Sequence, residues 1–100
     1  MEKNLSLQLS TIVKQSPKQV NTDLDGDTII MNIDNGVYFS LDDISTKIWD
    51  LISEPNSISQ VCEKLIKTYD VSMEQCEKQV IAFFNDLSKE GLLSIEAWAE

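Results

Sequence analysis

Neither histidine nor arginine occurs anywhere in the 100 residues. Without histidine, the chain lacks the commonest general base near neutral pH and the commonest zinc ligand. A Ser–His or Cys–His nucleophilic pair is excluded outright. Without arginine, there is no planar fork for bidentate contact with phosphates or base edges. The basic side chains are eight scattered lysines against 17 acidic residues, for a net charge of −9. A nucleic-acid binder carries a basic stripe, and this chain has none. Its three glycines form no phosphate-cradling loop. No apolar run approaches the roughly 20 residues of a membrane span. The opening "MEKNLSLQLST" lacks the sustained apolar stretch of a signal peptide. These absences predict a cytoplasmic chain without free-standing catalysis, whose acidity serves solubility or draws a basic partner.

Cys62 and Cys76 are the only cysteines. They match no CxxC spacing and fall on separate predicted helices, so buried free thiols in a reducing compartment are expected. In "DLDGDTIIMNID", Asp23, Asp25 and Asp27 have the i, i+2, i+4 spacing of a calcium loop. Gly26 comes two positions too early for such a loop, and Asp34 stands where a bidentate glutamate belongs. The segment reads as an acidic turn, and neither metal nor cofactor is predicted.

At 100 residues with 42% apolar content, one folded domain is expected. Residues 1–17 read as an N-terminal arm. "LQLSTIV" offers a short strand there, with Leu7, Leu9 and Ile12 toward the core, and Pro17 ends it. "QVNTDL", "TIIMNI" and "VYFSL" follow as strands joined by "DGD" and "DNG" turns. A three-residue loop, Asp34 to Gly36, would pair Ile33 with Val37, Met31 with Phe39 and Ile29 with Leu41. That register puts all six large apolar residues on one face, with Gly36 left-handed. Tyr38 and Ser40 would then face the other way.

Three helices are expected next. The first starts at Asp42 or Asp43 and carries Ile44, Ile48, Leu51 and Ile52 on one stripe. Ser57 with Gln60 forms a capping box for the second, whose stripe is Ile58, Val61, Cys62, Leu65, Ile66 and Tyr69. Ser72 with Gln75 repeats the device for the third, which presents Met73, Cys76, Val80, Phe83, Phe84 and Leu87. Gly91 stops it, and "LLSI" rejoins the core or the sheet. The domain is placed at residues 18–95, with a tail at 96–100. A small three-stranded antiparallel sheet followed by three helices is an α+β arrangement. The same order of elements fits a winged-helix DNA-binding regulator, the alternative reading. Its third helix, with Glu74, Glu77, Asp86 and Glu90 against Lys78 and Lys89, would repel phosphates. The "DIS" at 43–45 is not the phosphopantetheine motif of a carrier protein.

"TDLDGDTIIMNIDNGVYFSLDDISTKIWDLI" resembles the core of the PqqD-like family. Gly36, Tyr38, Leu41, Ile48 and Trp49 match its pattern in order and spacing. "SISQVCEKLIKTYDVS" is similar to the family's second helix, and "CEKQVIAFFNDLSKEGLL" to its third with the closing Gly-Leu. The likeness covers residues 18–93, and Asp42 departs from an asparagine common in relatives. The resemblance implies a winged-helix-like recognition element for the leader segment of ribosomally made, post-translationally modified peptides. It implies that the leader adds as a strand along Val37, Tyr38, Phe39, Ser40 and Leu41. On the third helix it implies contacts from among Cys76, Glu77, Val80, Phe83 and Phe84. Cys76 and Phe83 lie toward one edge of that helix, and Glu77, Ile81 and Phe84 toward the other; the spacing does not select between them. The implied partners are the precursor leader and a leader peptidase, as in lasso-peptide clusters, or another peptide-modifying enzyme.

Overall fold

The computed structural model describes residues 6–98. The first five positions of the expected arm and the last two of the expected tail lie outside the described residues. In chain order the elements are β1 (Ile12–Gln15), β2 (Gln19–Leu24), β3 (Asp27–Asn32), β4 (Tyr38–Leu41) and α1 (Asp43–Leu51). Then come β5 (Asn56–Ser57), α2 (Ile58–Thr68), α3 (Met73–Lys89) and β6 (Leu93–Ala97). They form an α+β fold with two three-stranded antiparallel sheets, ordered β2-β3-β4 and β5-β1-β6.

The first hairpin follows from its turn. Leu24 pairs with Asp27, leaving Asp25 and Gly26 as a two-residue loop. Both have positive φ, 54° and 88°, as a type I′ turn requires. The second hairpin departs from the register expected of the sequence. Ile30 pairs with Phe39 and Met31 with Tyr38, one step away from pairing Met31 with Phe39. The loop therefore runs over four residues, Ile33 to Gly36, and Gly36 is left-handed at φ 74°.

Asn32 explains the shift. Its carboxamide is buried, at 6% exposure, and is used at both ends. Oδ1 accepts from the N–H groups of Asp34 (2.8 Å) and Asn35 (3.3 Å), while Nδ2 donates to the Glu90 carbonyl (2.7 Å). Turning Asn32 inward turns Ile30 inward with it, because strand side chains alternate. Ile29, Met31 and Ile33 then face outward, and Met31 and Ile33 are exposed. Gathering six apolar residues on one face would have sent this polar network into solvent. Beside Met31, Val20 on β2 and Tyr38 on β4 complete an outward apolar row.

The helix starts match the expected caps. Asp42 accepts from the Ser45 N–H, Ser57 and Gln60 form a reciprocal capping box, and Ser72 accepts from the Gln75 N–H. The core lies between the helices, the inner sides of β3 and β4 (Ile30, Leu41) and the second sheet (Val13, Leu93). Trp49, Ile52, Ile58, Val61, Val80, Phe84, Leu87 and Leu92 are each at most 1% exposed. Each such aliphatic or aromatic side chain contributes about 1.5–3 kcal/mol by leaving water. The arm contributes β1 at residues 12–15, a little later than "LQLSTIV" suggested. Leu7 and Val13 are buried, whereas Leu9 stays exposed. β1 is the centre of the second sheet, flanked by β5 and by β6, the "LLSI" segment. The Gln15 N–H donates to the Ile52 carbonyl and the Ser16 N–H to the Leu92 carbonyl, tying this sheet to both ends of the helical layer.

Candidate functional site

β4 is the end strand of its sheet, so one side of its backbone has no strand partner. The hydrogen-bonding phase tells which residues face that side. The Asn32 N–H donates to the Val37 carbonyl at 2.9 Å, so this is a hydrogen-bonded pair. Such pairs alternate with non-bonded ones in an antiparallel ladder. Ile30–Phe39 and Thr28–Leu41 are therefore bonded pairs, and the N–H and C=O groups of Tyr38 and Ser40 point away from β3. The other end strand, β2, is also open, but all its residues after Gln19 are exposed, and the cavity that Gln19 borders is lined mainly by polar residues such as Lys14, Ser16, Ser53 and Glu96.

At its C-terminal end β4 leads directly into the helical layer. Only Asp42 separates Leu41 from α1. The N–H of Ser45 holds the Asp42 carboxyl below the usual aspartate range, with a further contribution from the Ser45 hydroxyl. Ile44, 48% exposed, and the buried Ile48 then form one wall of a cavity of about 360 Å³. Leu65 and Tyr69 of α2, with Val71 after it, form a second wall. Cys76, Val80, Gln75 and Gln79 of α3 form the third. The lining is apolar at its base, with two uncharged amides and Asp70 at its margin. That composition accepts a bulky apolar side chain, with a polar tip tolerated at the mouth. A shallower cavity of about 430 Å³ lies on the opposite flank of α3, against Leu9, Glu77 and Ile81.

The structure divides the ten residues that the sequence put forward. Tyr38 and Ser40 expose their side chains on the outward face of β4. Phe39 and Val37 are half-buried, and Leu41 is core at 2%. Cys76 and Val80 meet the α1 wall in the smaller cavity, whereas Glu77 lines the other flank. Phe83 is half-buried, its ring centroid 6.0 Å from that of Phe84. Phe84 itself is fully enclosed. Sequence reasoning missed Ile44, Ile48, Tyr69, Gln75 and Gln79 as cavity walls. Helical spacing assigns Ile44, Ile48 and Tyr69 to core stripes; the signal for the cavity is that Ile44 sits in the first turn of α1, where a helix end is seldom covered.

The α+β fold thus carries an open strand edge on β4 and a partly apolar cavity that begins at the first turn of the following helix. The family model described as "Coenzyme PQQ synthesis protein D (PqqD)" matches residues 27–93, and the chain belongs to that family. No curated protein matches significantly. Among solved structures, TbiB1 in complex with the TbiA(beta) leader peptide superposes with a TM-score of 0.74 at 24% identity. That match covers 87% of this chain and 99% of the other. A lasso peptide synthetase B1 complexed with the leader peptide superposes with a TM-score of 0.73 at 20% identity, covering 82% and 96%. At such identities the likeness establishes a shared fold.

Proposed function

We propose that this chain binds the leader segment of a ribosomally made precursor peptide as an added antiparallel strand on β4. An apolar leader side chain would occupy the cavity between α1 and α3, and the chain would hand the precursor to a peptidase or another modifying enzyme in the cytoplasm. It performs no chemistry itself. The observation that carries the reading is the outward backbone of Tyr38 and Ser40, together with a cavity lined by Ile44, Cys76 and Val80 that starts on the helix following β4. Support comes from the similar fold of two proteins solved with leader peptides.

Four strand bonds and one or two anchors together span about 3.5–12 kcal/mol before the cost of ordering, a range that includes micromolar affinity. Two outward residues offer four backbone bonds, about 2–6 kcal/mol net at 0.5–1.5 kcal/mol each. Micromolar affinity requires about −8 kcal/mol. Ordering a flexible leader offsets part of the gain, so strand bonds alone fall short. One or two buried anchors, at about 1.5–3 kcal/mol each, close the difference. Strand addition therefore needs a cavity next to the edge.

Calorimetric titration with the leader of a precursor encoded beside this gene tests the proposal. Saturable one-to-one binding, with the precursor unchanged in mass until the partner enzyme is added, is expected. Cleavage or modification by the chain alone would remove the non-catalytic reading. Salt-sensitive binding to duplex DNA, with none to leader, would favour the regulator reading. The acidic Glu74, Glu77 and Asp86 on α3 argue against that outcome.

A further inference from the structure

The sheet β2-β3-β4 turns only one face to the core. On the other stand Val20 and Leu24 of β2, Met31 of β3 with Ile33 just after it, and Tyr38 of β4. They are five of the eight large apolar side chains left exposed among the described residues, so exposure is gathered in one patch. Apolar residues scattered singly need no explanation, whereas a contiguous patch with a polar rim marks an interaction surface. This rim is acidic. Asp25 and Asp27 stand at the β2–β3 turn. At the other end of the sheet Asp34 is met by Lys18 at 3.7 Å, both exposed.

The patch is too small for a stable contact between two copies of this chain. Strands of six, six and four residues, at about 3.4 Å per residue and about 4.8 Å per strand, cover roughly 260 Å² of sheet plane. A stable interface takes about 800 Å² from each partner. Pairing two copies would also bring together two chains of net charge −9, which repel. The face therefore fits a different protein, with an apolar patch edged by lysine or arginine.

The leader edge is continuous with this face. Met31 pairs with Tyr38 and Ile29 with Ser40, so the side chains of Tyr38 and Ser40 lie on the outward face while their backbone groups point to the open edge. A leader residue opposite Tyr38 would carry the row Val20–Met31–Tyr38 onto a fourth strand. A leader strand as long as β4 enlarges the plane by about a quarter.

We propose that the enzyme receiving the precursor docks on this outward face through an apolar patch with a basic rim, and that the bound leader strand completes the surface. The enzyme then prefers the leader-loaded chain to the empty one. By reciprocity, it tightens leader binding by the same factor. This inference rests on the proposed leader-binding role and assigns the surface that the partner reads.

Calorimetric titration of the full chain with the peptidase or modifying enzyme encoded beside this gene tests the docking. It is run with and without a leader fragment trimmed to the strand-forming segment. Expected are one-to-one binding that weakens with added salt and an enzyme affinity about fivefold or more higher when leader is present. Val20→Ser combined with Leu24→Ser alters two exposed side chains on β2, the strand farthest from the leader edge. The pair should lower enzyme affinity about tenfold or more and leave leader affinity within about twofold. Asp27→Lys, at the acidic rim, should also weaken the enzyme and spare the leader. Circular dichroism establishes that the variants fold, and the leader and salt dependence of the wild type need no variant. Unchanged enzyme affinity in the folded variants, or no enzyme binding by the wild type, would overturn the docking face. Equal enzyme affinity with and without leader would overturn the completing role of the leader strand. A wild-type dimer in sedimentation that Val20→Ser with Leu24→Ser separates would overturn the proposal in favour of a second copy. Failure of the wild type to bind leader, with enzyme binding still lost in the variants, would count against the proposed function and leave the docking face standing.

Discussion

Substituting Ser40→Pro separates the two sides of the β4 backbone. The Ser40 N–H faces the open edge, whereas the N–H groups of Phe39 and Leu41 serve the ladder to β3. Proline removes a donor and is tolerated on an edge strand when the missing N–H faces outward. The fold should survive. Leader binding should not, because one strand bond is lost, at about 0.5–1.5 kcal/mol. The leader carbonyl that it served is also left facing the ring, at about 1–3 kcal/mol if water cannot reach it. Together these weaken affinity by about 10- to 1,000-fold, since each 1.4 kcal/mol is tenfold. Phe39→Pro is the matched control: it removes a β3–β4 ladder bond and should destabilise the hairpin before any ligand is added. Circular dichroism establishes folding and calorimetry gives Kd. A folded Ser40→Pro variant that binds leader within about twofold of wild type would refute the assignment of outward groups.

Three further outcomes are expected. Ile44→Asp places a charge on the exposed wall of the cavity, where Ile44 is 48% exposed; Tm should change little, while leader affinity falls at least tenfold by calorimetry. Gly91→Ala should destabilise the fold by about 1–3 kcal/mol in a urea titration, the range for a non-glycine left-handed residue. Gly91 has φ 72°, and an added Cβ would meet Asn32 Nδ2 at 2.6 Å, disturbing the amide that anchors the β3–β4 loop. Asp42→Ala removes the α1 cap and should lower stability by about 0.5–2 kcal/mol at neutral pH. Because the folded carboxyl titrates below 3.8, the stabilisation of Asp42 is complete above that pH and is lost as pH falls through the depressed folded value. The wild-type and Asp42→Ala melting curves should therefore converge on acidification below 3.8.

Local chemistry was readable where neighbours in sequence decide it. Asp42, Ser57 with Gln60, and Ser72 announce helix starts because their acceptors serve N–H groups two or three residues on. Gly36 and Gly91 mark left-handed positions for the same reason. The β3–β4 register was not readable, because counting apolar residues favoured Ile29, Met31 and Ile33 as the inward set. The deciding partner of Asn32 is the Glu90 carbonyl, 58 residues away. The second sheet was hidden in the same way, since β1 pairs with a strand at the far end of the described chain. For the candidate site, "VYFSL" and the third helix were evident as elements. The side of α3 that faces the cavity emerged only once α1 and α2 were packed against it, with Cys76 and Val80 on one flank and Glu77 on the other.

Residue-resolved amide exchange, with and without leader, tests strand addition on β4 most directly. In the free chain the outward N–H groups of Tyr38 and Ser40 should exchange fast and those of Phe39 and Leu41 slowly. Leader should slow Tyr38 and Ser40 strongly and leave the alternate pair nearly unchanged, with added protection in α3 from Cys76 to Phe83. Protection confined to α1 and α2, with Tyr38 and Ser40 as fast as before, would contradict strand addition at this edge.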